Sequence, residues 1–141
     1  MKRSIVTFLF SCLFLGCSFA KAQEVVVVAN KSVKASDVSD GDLKDVFSGD
    51  KSSLKDGTHV VPVTLKGGPA HEAFLRKYLG KNDAAFRAAW RSLVFTGQGS
   101  MPKTFDTDAA LVEYVAATPG AIGYASASVA NHEGVKTLAV K

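Results

Sequence analysis

Two short segments carry the residue types that could hold a small anion. In the first, Lys66-Gly67-Gly68-Pro69-Ala70-His71, an ammonium group and two glycines lead into a proline at a helix start. The first turn of a helix has N–H groups with no intrahelical partner, and glycine lets a ligand come close to the backbone. The N–H groups of Ala70 and His71, with the Lys66 ammonium, are the candidate donors, and Gly67 and Gly68 form the approach. A plain helix start competes with this reading. Proline suits the first helical position, and Glu72 already brings negative charge to the first turn, where it would repel phosphate. The second segment, Thr96-Gly97-Gln98-Gly99, offers a hydroxyl, an amide and glycine backbone ahead of Ser100 and Pro102. It reads equally as a binding loop or as a connection whose glycines supply positive φ. Ser126 is the third candidate. It ends a strand two residues after Tyr124, and open α/β sheets bind ligands beyond the carboxyl ends of their strands. Tyr124 itself reads as core.

Enzyme chemistry has little to stand on. His59, His71 and His132 are scattered, and His71-Glu72 lacks a second histidine four residues after the first. There is no G-x-S-x-G elbow, no P-loop and no dinucleotide fingerprint. The expectation is a non-enzyme with no cofactor and no metal. Arg87 and Arg91, one helical turn apart, read as a solvated face, and Trp90 as core.

The elements that must position these residues follow from hydrophobic period and punctuation. Glu24-Val25-Val26-Val27-Val28-Ala29 is a continuous apolar run, the pattern of a strand covered on both faces in a parallel sheet. Ser39 opens a helix, with Asp42 three residues on as a capping-box partner and Val38 and Leu43 placed as a hydrophobic staple. Leu43, Val46 and Phe47 form its inner face, and Gly49 stops it. Thr58–Leu65 is a second strand, at an edge or bent at Pro62. A helix from Pro69 buries Ala70, Phe74, Leu75, Tyr78 and Leu79 and ends at Gly80. A third, capped by Asn82, buries Phe86, Ala89, Trp90, Leu93 and Val94. A fourth follows Asp106-Thr107, buries Leu111, Val112, Tyr114 and Val115, and is broken by Thr118-Pro119-Gly120. Ala121–Ala125 and Val135–Val140 are the last strands. Strands alternating with helices predict an α/β fold: a three-layer sandwich with a mixed, mostly parallel sheet.

Lys2 and Arg3, the apolar run Ile5–Leu15 and Ala20-Lys21-Ala22 fit a secretory signal peptide over residues 1–22, leaving one domain over 23–141. Phe14-Leu15-Gly16-Cys17 also resembles a lipoprotein box, with Cys17 as the lipidated residue. The whole chain of 141 residues carries 17 Lys and Arg against 13 Asp and Glu. Cleavage after Ala22 would leave 14 against 13, so the basicity belongs to the signal and gives no case for nucleic acid. Both cysteines, Cys12 and Cys17, precede the cut, so no disulfide is expected. The expected location is periplasmic or secreted, with no stable membrane insertion after cleavage.

Three segments, in order, resemble the substrate-binding proteins of phosphate-type ABC importers, of the type 2 periplasmic-binding-protein fold. Leu43-Lys44-Asp45-Val46-Phe47-Ser48-Gly49-Asp50 is similar to the family's L-x-x-I-F-x-G-K helix end. The stretch from Val61 through Lys66-Gly67-Gly68-Pro69-Ala70-His71 to Phe74 is similar to its strand–loop–helix, and Thr118-Pro119-Gly120-Ala121-Ile122-Gly123-Tyr124 to its P-G-A-I-G-Y turn. The resemblance implies one lobe of that fold and a small anion as ligand, phosphate first, in an importer-related or sensing role. Two departures stand beside it. Family members have two lobes in chains well over twice this length, and Gly68-Pro69-Ala70 replaces the family's Ser-Gly-Thr, so the hydroxyls are gone. A homodimer or a separate envelope protein could supply the missing wall. The alternative is an envelope protein-interaction module that kept the fold and lost the ligand.

Overall fold

The structure is a computed structural model that describes residues 24–141. The signal-peptide reading, the lipoprotein variant at Cys17 and both cysteines fall outside the described residues. One sheet contains β1 (Val25–Asn30), β2 (Asp37–Val38), β3 (Val61–Leu65), β4 (Lys103–Phe105), β5 (Ala121–Ser126) and β6 (Val135–Val140). Their spatial order is β2-β6-β1-β5-β3-β4. The helices are α1 (Asp40–Phe47), α2 (Pro69–Phe74, continued by a π-helical turn over Leu75–Leu79), α3 (Asp83–Phe95) and α4 (Asp108–Ala117).

The sheet is mixed. β3 runs parallel to both β4 and β5, and β2 runs parallel to β6. The expectation for β1 is corrected: its valine run pairs antiparallel with both β5 and β6. Burial on both faces makes a strand uniformly apolar whichever way its neighbours run, so the composition reported the covering layers and not the direction. β3 is also not an edge strand. Val61 N–H donates to Gly120 O on the β5 side, so the Pro62 nitrogen faces the other way, where pairing with β4 begins only at Val63. Proline is tolerated there because no ladder bond is lost.

Adjacent residues of β5 show the three layers. Tyr124 points to one face and stacks on Phe74 of α2, ring centroids 3.9 Å apart, with Phe47 of α1 edge-on to Phe74 at 4.9 Å. Gly123 points to the other face and meets α4: a Cβ there would stand 2.7 Å from Leu111 Cδ2. The glycine thus lets α4 lie directly on the sheet.

The caps follow the sequence closely, with exceptions that side chains decide. Ser39, Asn82 and Thr107 accept the N–H bonds expected of N-caps, and Gly80 ends the second helix at φ 61°. Asp42 is no capping-box partner. Its buried carboxylate turns away to accept from Lys51 Nζ at 3.3 Å and Lys55 N–H at 3.2 Å. Asn30 closes the C-terminus of α4 from β1, donating to Val115 O at 2.7 Å. Val94, expected in the core, is exposed, and α3 buries only Phe86 and Trp90 fully. Trp90 Nε1–H donates to Phe47 O at 2.9 Å, tying α3 to α1.

Candidate functional site

The parallel pairing of β3 with β5 and β4 brings three strand ends to one edge of the sheet. Lys66-Gly67-Gly68 leaves β3 there, Asp106-Thr107-Asp108 leaves β4, and Ser126 ends β5. Lys66 through Gly68 are exposed; Ala70 and His71 are buried. Gly68 occupies the N-cap of α2 at φ 95°, and no side chain caps the helix. The first intrahelical bond runs from Glu72 N–H to Gly68 O at 3.0 Å. The N–H groups of Ala70 and His71 precede that bond and have no intrahelical acceptor.

The charges around them are less simple. Lys66 Nζ lies 3.2 Å from Asp106 Oδ1, an exposed ion pair that the spacing along the chain gave no sign of. Ser126 is not free either. Its N–H and its Oγ–H both donate to Asp108 Oδ2, at 3.1 and 2.5 Å. Asp108 thereby caps the end of β5 from the first turn of α4.

The second segment is elsewhere. Gln98 and Gly99 border a hollow shared with Gly49, Val61 and Pro62, at the beginning of β3 and not at its end. One strand of five residues, roughly 13 Å at about 3.3 Å per step, separates it from Lys66. Thr96, Gly97, Gln98 and Gly99 are thus a candidate apart from the Lys66–His71 turn. Their local chemistry is a helix stop. Gly97 (φ 73°) donates to Val94 O and Gln98 N–H to Leu93 O, the paired bonds of a Schellman ending, while Thr96 Oγ1 turns back onto Ser92 O.

Beneath the Lys66 turn lies a polar ring that the sequence did not disclose. Leu65 N–H donates to the Tyr124 hydroxyl at 3.0 Å, and that hydroxyl lies 2.5 Å from His71 Nδ1. His71 Nε2 lies 2.7 Å from Asp83 Oδ1. Arg87 donates from Nε to Asp83 Oδ2 at 2.8 Å and from Nη2 to Lys66 O. The phenol has one proton and already accepts from Leu65, so it donates to Nδ1; the imidazole proton then sits on Nε2 and faces Asp83. His71 and Tyr124 are fully buried, and both are satisfied. Burial drives the Tyr124 hydroxyl far above its ordinary pKa, against the opposing bond from Leu65. Burial also pushes Asp83 up, but the bonds from His71 and Arg87 outweigh it and hold its carboxyl below the usual value. His71 thus enters through its side chain as a buried link, besides the backbone role read from the sequence. Arg87 is no idle solvated charge.

No group of three or more His, Cys, Asp or Glu residues suited to a metal occurs among the described residues. No helix among them is long and apolar enough to cross a membrane.

No protein-family model and no curated protein matches the sequence. Solved structures do match the fold. A protein assigned as a phosphate ABC transporter substrate-binding protein from Clostridium perfringens, with phosphate bound, superposes at a TM-score of 0.62 with 18% identity, over 82% of this chain and 44% of that one. PstS from Borrelia burgdorferi gives 0.58 and 11%, over 83% and 47%. An ABC-type phosphate transport receptor from Vibrio cholerae gives 0.52 and 12%, over 82% and 45%. The chain therefore shares the fold of these substrate-binding proteins and spans less than half the length of each.

Proposed function

We propose that this chain is an exported, single-lobe module of the substrate-binding-protein type that recognises a small anion, phosphate first, at the edge where β3 leads into α2. The observation that carries the reading is the exposed Lys66-Gly67-Gly68 turn opening onto the uncapped first turn of α2. The fold it shares with phosphate-binding proteins, and the phosphate bound in one of them, support the choice of ligand. That those proteins are binders supports a non-enzymatic role in import or sensing. In this reading Ser126 supports the edge through its bonds to Asp108, and Thr96–Gly99 take no part.

Magnitudes set the expected strength. Three charge-assisted bonds contribute about 1.5–3 kcal/mol each, and association costs at least about 4 kcal/mol. The surplus is at most about 0.5–5 kcal/mol, so it reaches the roughly 4 kcal/mol of a millimolar complex only toward its upper end. Asp106 beside Lys66 weakens it further. A second wall, from another copy of the chain or an envelope partner, would be needed for micromolar capture. Calorimetric titration of the purified protein with phosphate and sulfate tests the reading. Heat that saturates in the millimolar range supports it; none at 50-fold higher ligand than protein, in every oligomeric form, removes it.

A specific observation favours a second reading, a protein-interaction module. Val61, Val94, Phe95 and Met101 are exposed apolar residues at the opposite edge, and Phe95 is 93% exposed. Val61 and Met101 line the hollow that Trp90, Pro62 and Gly99 also border. A phenylalanine so placed gains only from being covered. Size-exclusion chromatography with light scattering distinguishes a self-associating chain from a monomer awaiting another protein.

A further inference from the structure

We infer that His71, Asp83 and Arg87 are positioning residues which, with Tyr124, close a ring around Leu65-Lys66, where β3 ends, and so fix the Lys66–Gly68 turn. The ring grips this two-residue stretch at both ends. Tyr124 takes the N–H of Leu65, Arg87 takes the carbonyl of Lys66, and Asp83 and His71 join the two. Every bond crosses between elements or along the first turn of α3: β5 supplies Tyr124, α2 supplies His71, and α3 supplies Asp83 and Arg87. The ends of the turn have other bonds, Lys66 N–H to Phe105 O at 2.9 Å and Glu72 N–H to Gly68 O at 3.0 Å, but its glycines have no packing to hold them. Gly67 and Gly68 have open space where a Cβ would stand, and Gly68 sits at φ 95°. Two adjacent unpacked glycines are the most mobile backbone the chain could place there.

Energy explains why the ion pair is a positioning device. Arg87 and Asp83 are four residues apart on one helix, and their side chains are 36% and 41% exposed. Solvent-exposed pairs of this kind add little to stability. Arg87 is held in one orientation instead, by a carboxylate itself oriented from below by buried His71, and its free arm reaches Lys66 O. The ring thereby links the interior aromatic stack of Tyr124 and Phe74 to the exposed turn. The inference rests on the anion-binding reading only for what the turn is used for; the fixing of the turn stands apart from it.

Two substitutions open the ring at its solvent side. Asp83→Asn keeps an acceptor for His71 but turns an amide N–H toward Arg87, and Arg87→Met removes both arms. Val115→Ala, on the buried side of α4, which covers the opposite face of the sheet, is the control for lost stability alone. Backbone ¹⁵N relaxation of the purified, ligand-free protein reads the turn directly. Order parameters at Gly67 and Gly68 near 0.85 in the wild type should fall below about 0.6 in Asp83→Asn and Arg87→Met, and stay unchanged in Val115→Ala. Phosphate titrations, followed on the Ala70 and His71 amides, should weaken about 5- to 20-fold in the two ring variants and less than twofold in the control. Unchanged order at both glycines in the ring variants, or an equal loss in Val115→Ala, overturns the inference. If phosphate fails to bind even the wild type, the anion reading falls while the order parameters still decide the role of the ring.

Discussion

Tyr124→Phe isolates the deepest member of the ring, because it deletes one oxygen and leaves the packing in place. The phenyl ring keeps its stack on Phe74 at 3.9 Å and its edge contact with Phe47 at 5.9 Å, and no cavity of consequence opens. Two buried groups lose their partners: the Leu65 N–H, which donates at 3.0 Å, and His71 Nδ1, which accepts at 2.5 Å. A buried polar group left unpaired costs about 1–3 kcal/mol. Together they should destabilise the protein by about 2–6 kcal/mol, a large share of the roughly 5–15 kcal/mol a small domain has. With a urea slope of about 1.5 kcal/mol per molar, the unfolding midpoint should fall by about 1.3–4 M. Amide hydrogen exchange provides the local check: Leu65 should lose its protection while Val63 in the same strand keeps it. A midpoint shift under about 0.3 M, with Leu65 still protected, would refute the claim that this hydroxyl satisfies buried groups on two elements.

Four other outcomes follow from the same contacts. Gly123→Ala should cost about 1–3 kcal/mol or more in urea unfolding, because its Cβ would stand 2.7 Å from Leu111 Cδ2 and 3.0 Å from Val63 Cγ2 in a packed layer. Asp106→Asn frees the Lys66 ammonium and removes a like charge from the edge, so phosphate should bind about two- to fivefold more tightly by calorimetry, the worth of an exposed charge contact. Asp83 has a folded pKa below its unfolded 3.8, so the stability it contributes is present above that value and lost as pH falls through the lower folded one; a stability profile from pH 5 to pH 2 should decline less steeply in Asp83→Asn. Phe95→Glu should leave urea stability within about 0.5 kcal/mol, because the ring is exposed, and should abolish any concentration-dependent association seen by light scattering.

What the sequence disclosed and what it withheld divide along a physical line. Helix starts and stops are written within four or five residues, and Ser39, Asn82, Thr107 and Gly80 act where their neighbours place them. Burial is also legible, since the valines of β1 and the stripe of α2 face the core. Direction is not, because a strand covered on both faces looks alike whether its neighbours run with it or against it; β1 therefore read as parallel and is antiparallel. The three-residue β4 escaped notice because it is too short to show a period. The candidate site shows the same division. Lys66 through His71 are contiguous, and their place at a helix start could be read. The partners that decide their chemistry are far along the chain: Asp106 lies 40 residues from Lys66, and Tyr124 lies 53 from His71. Thr96-Gly97-Gln98 had the composition of a binding loop because a Schellman ending and a ligand loop both need a glycine at positive φ. Asp83 and Arg87 could have raised suspicion as an i, i+4 pair, yet such a pair is ordinary on any exposed helix. Only closure through space, from Arg87 onto Lys66 O and from Asp83 onto a buried histidine, separates this pair from a merely solvated one.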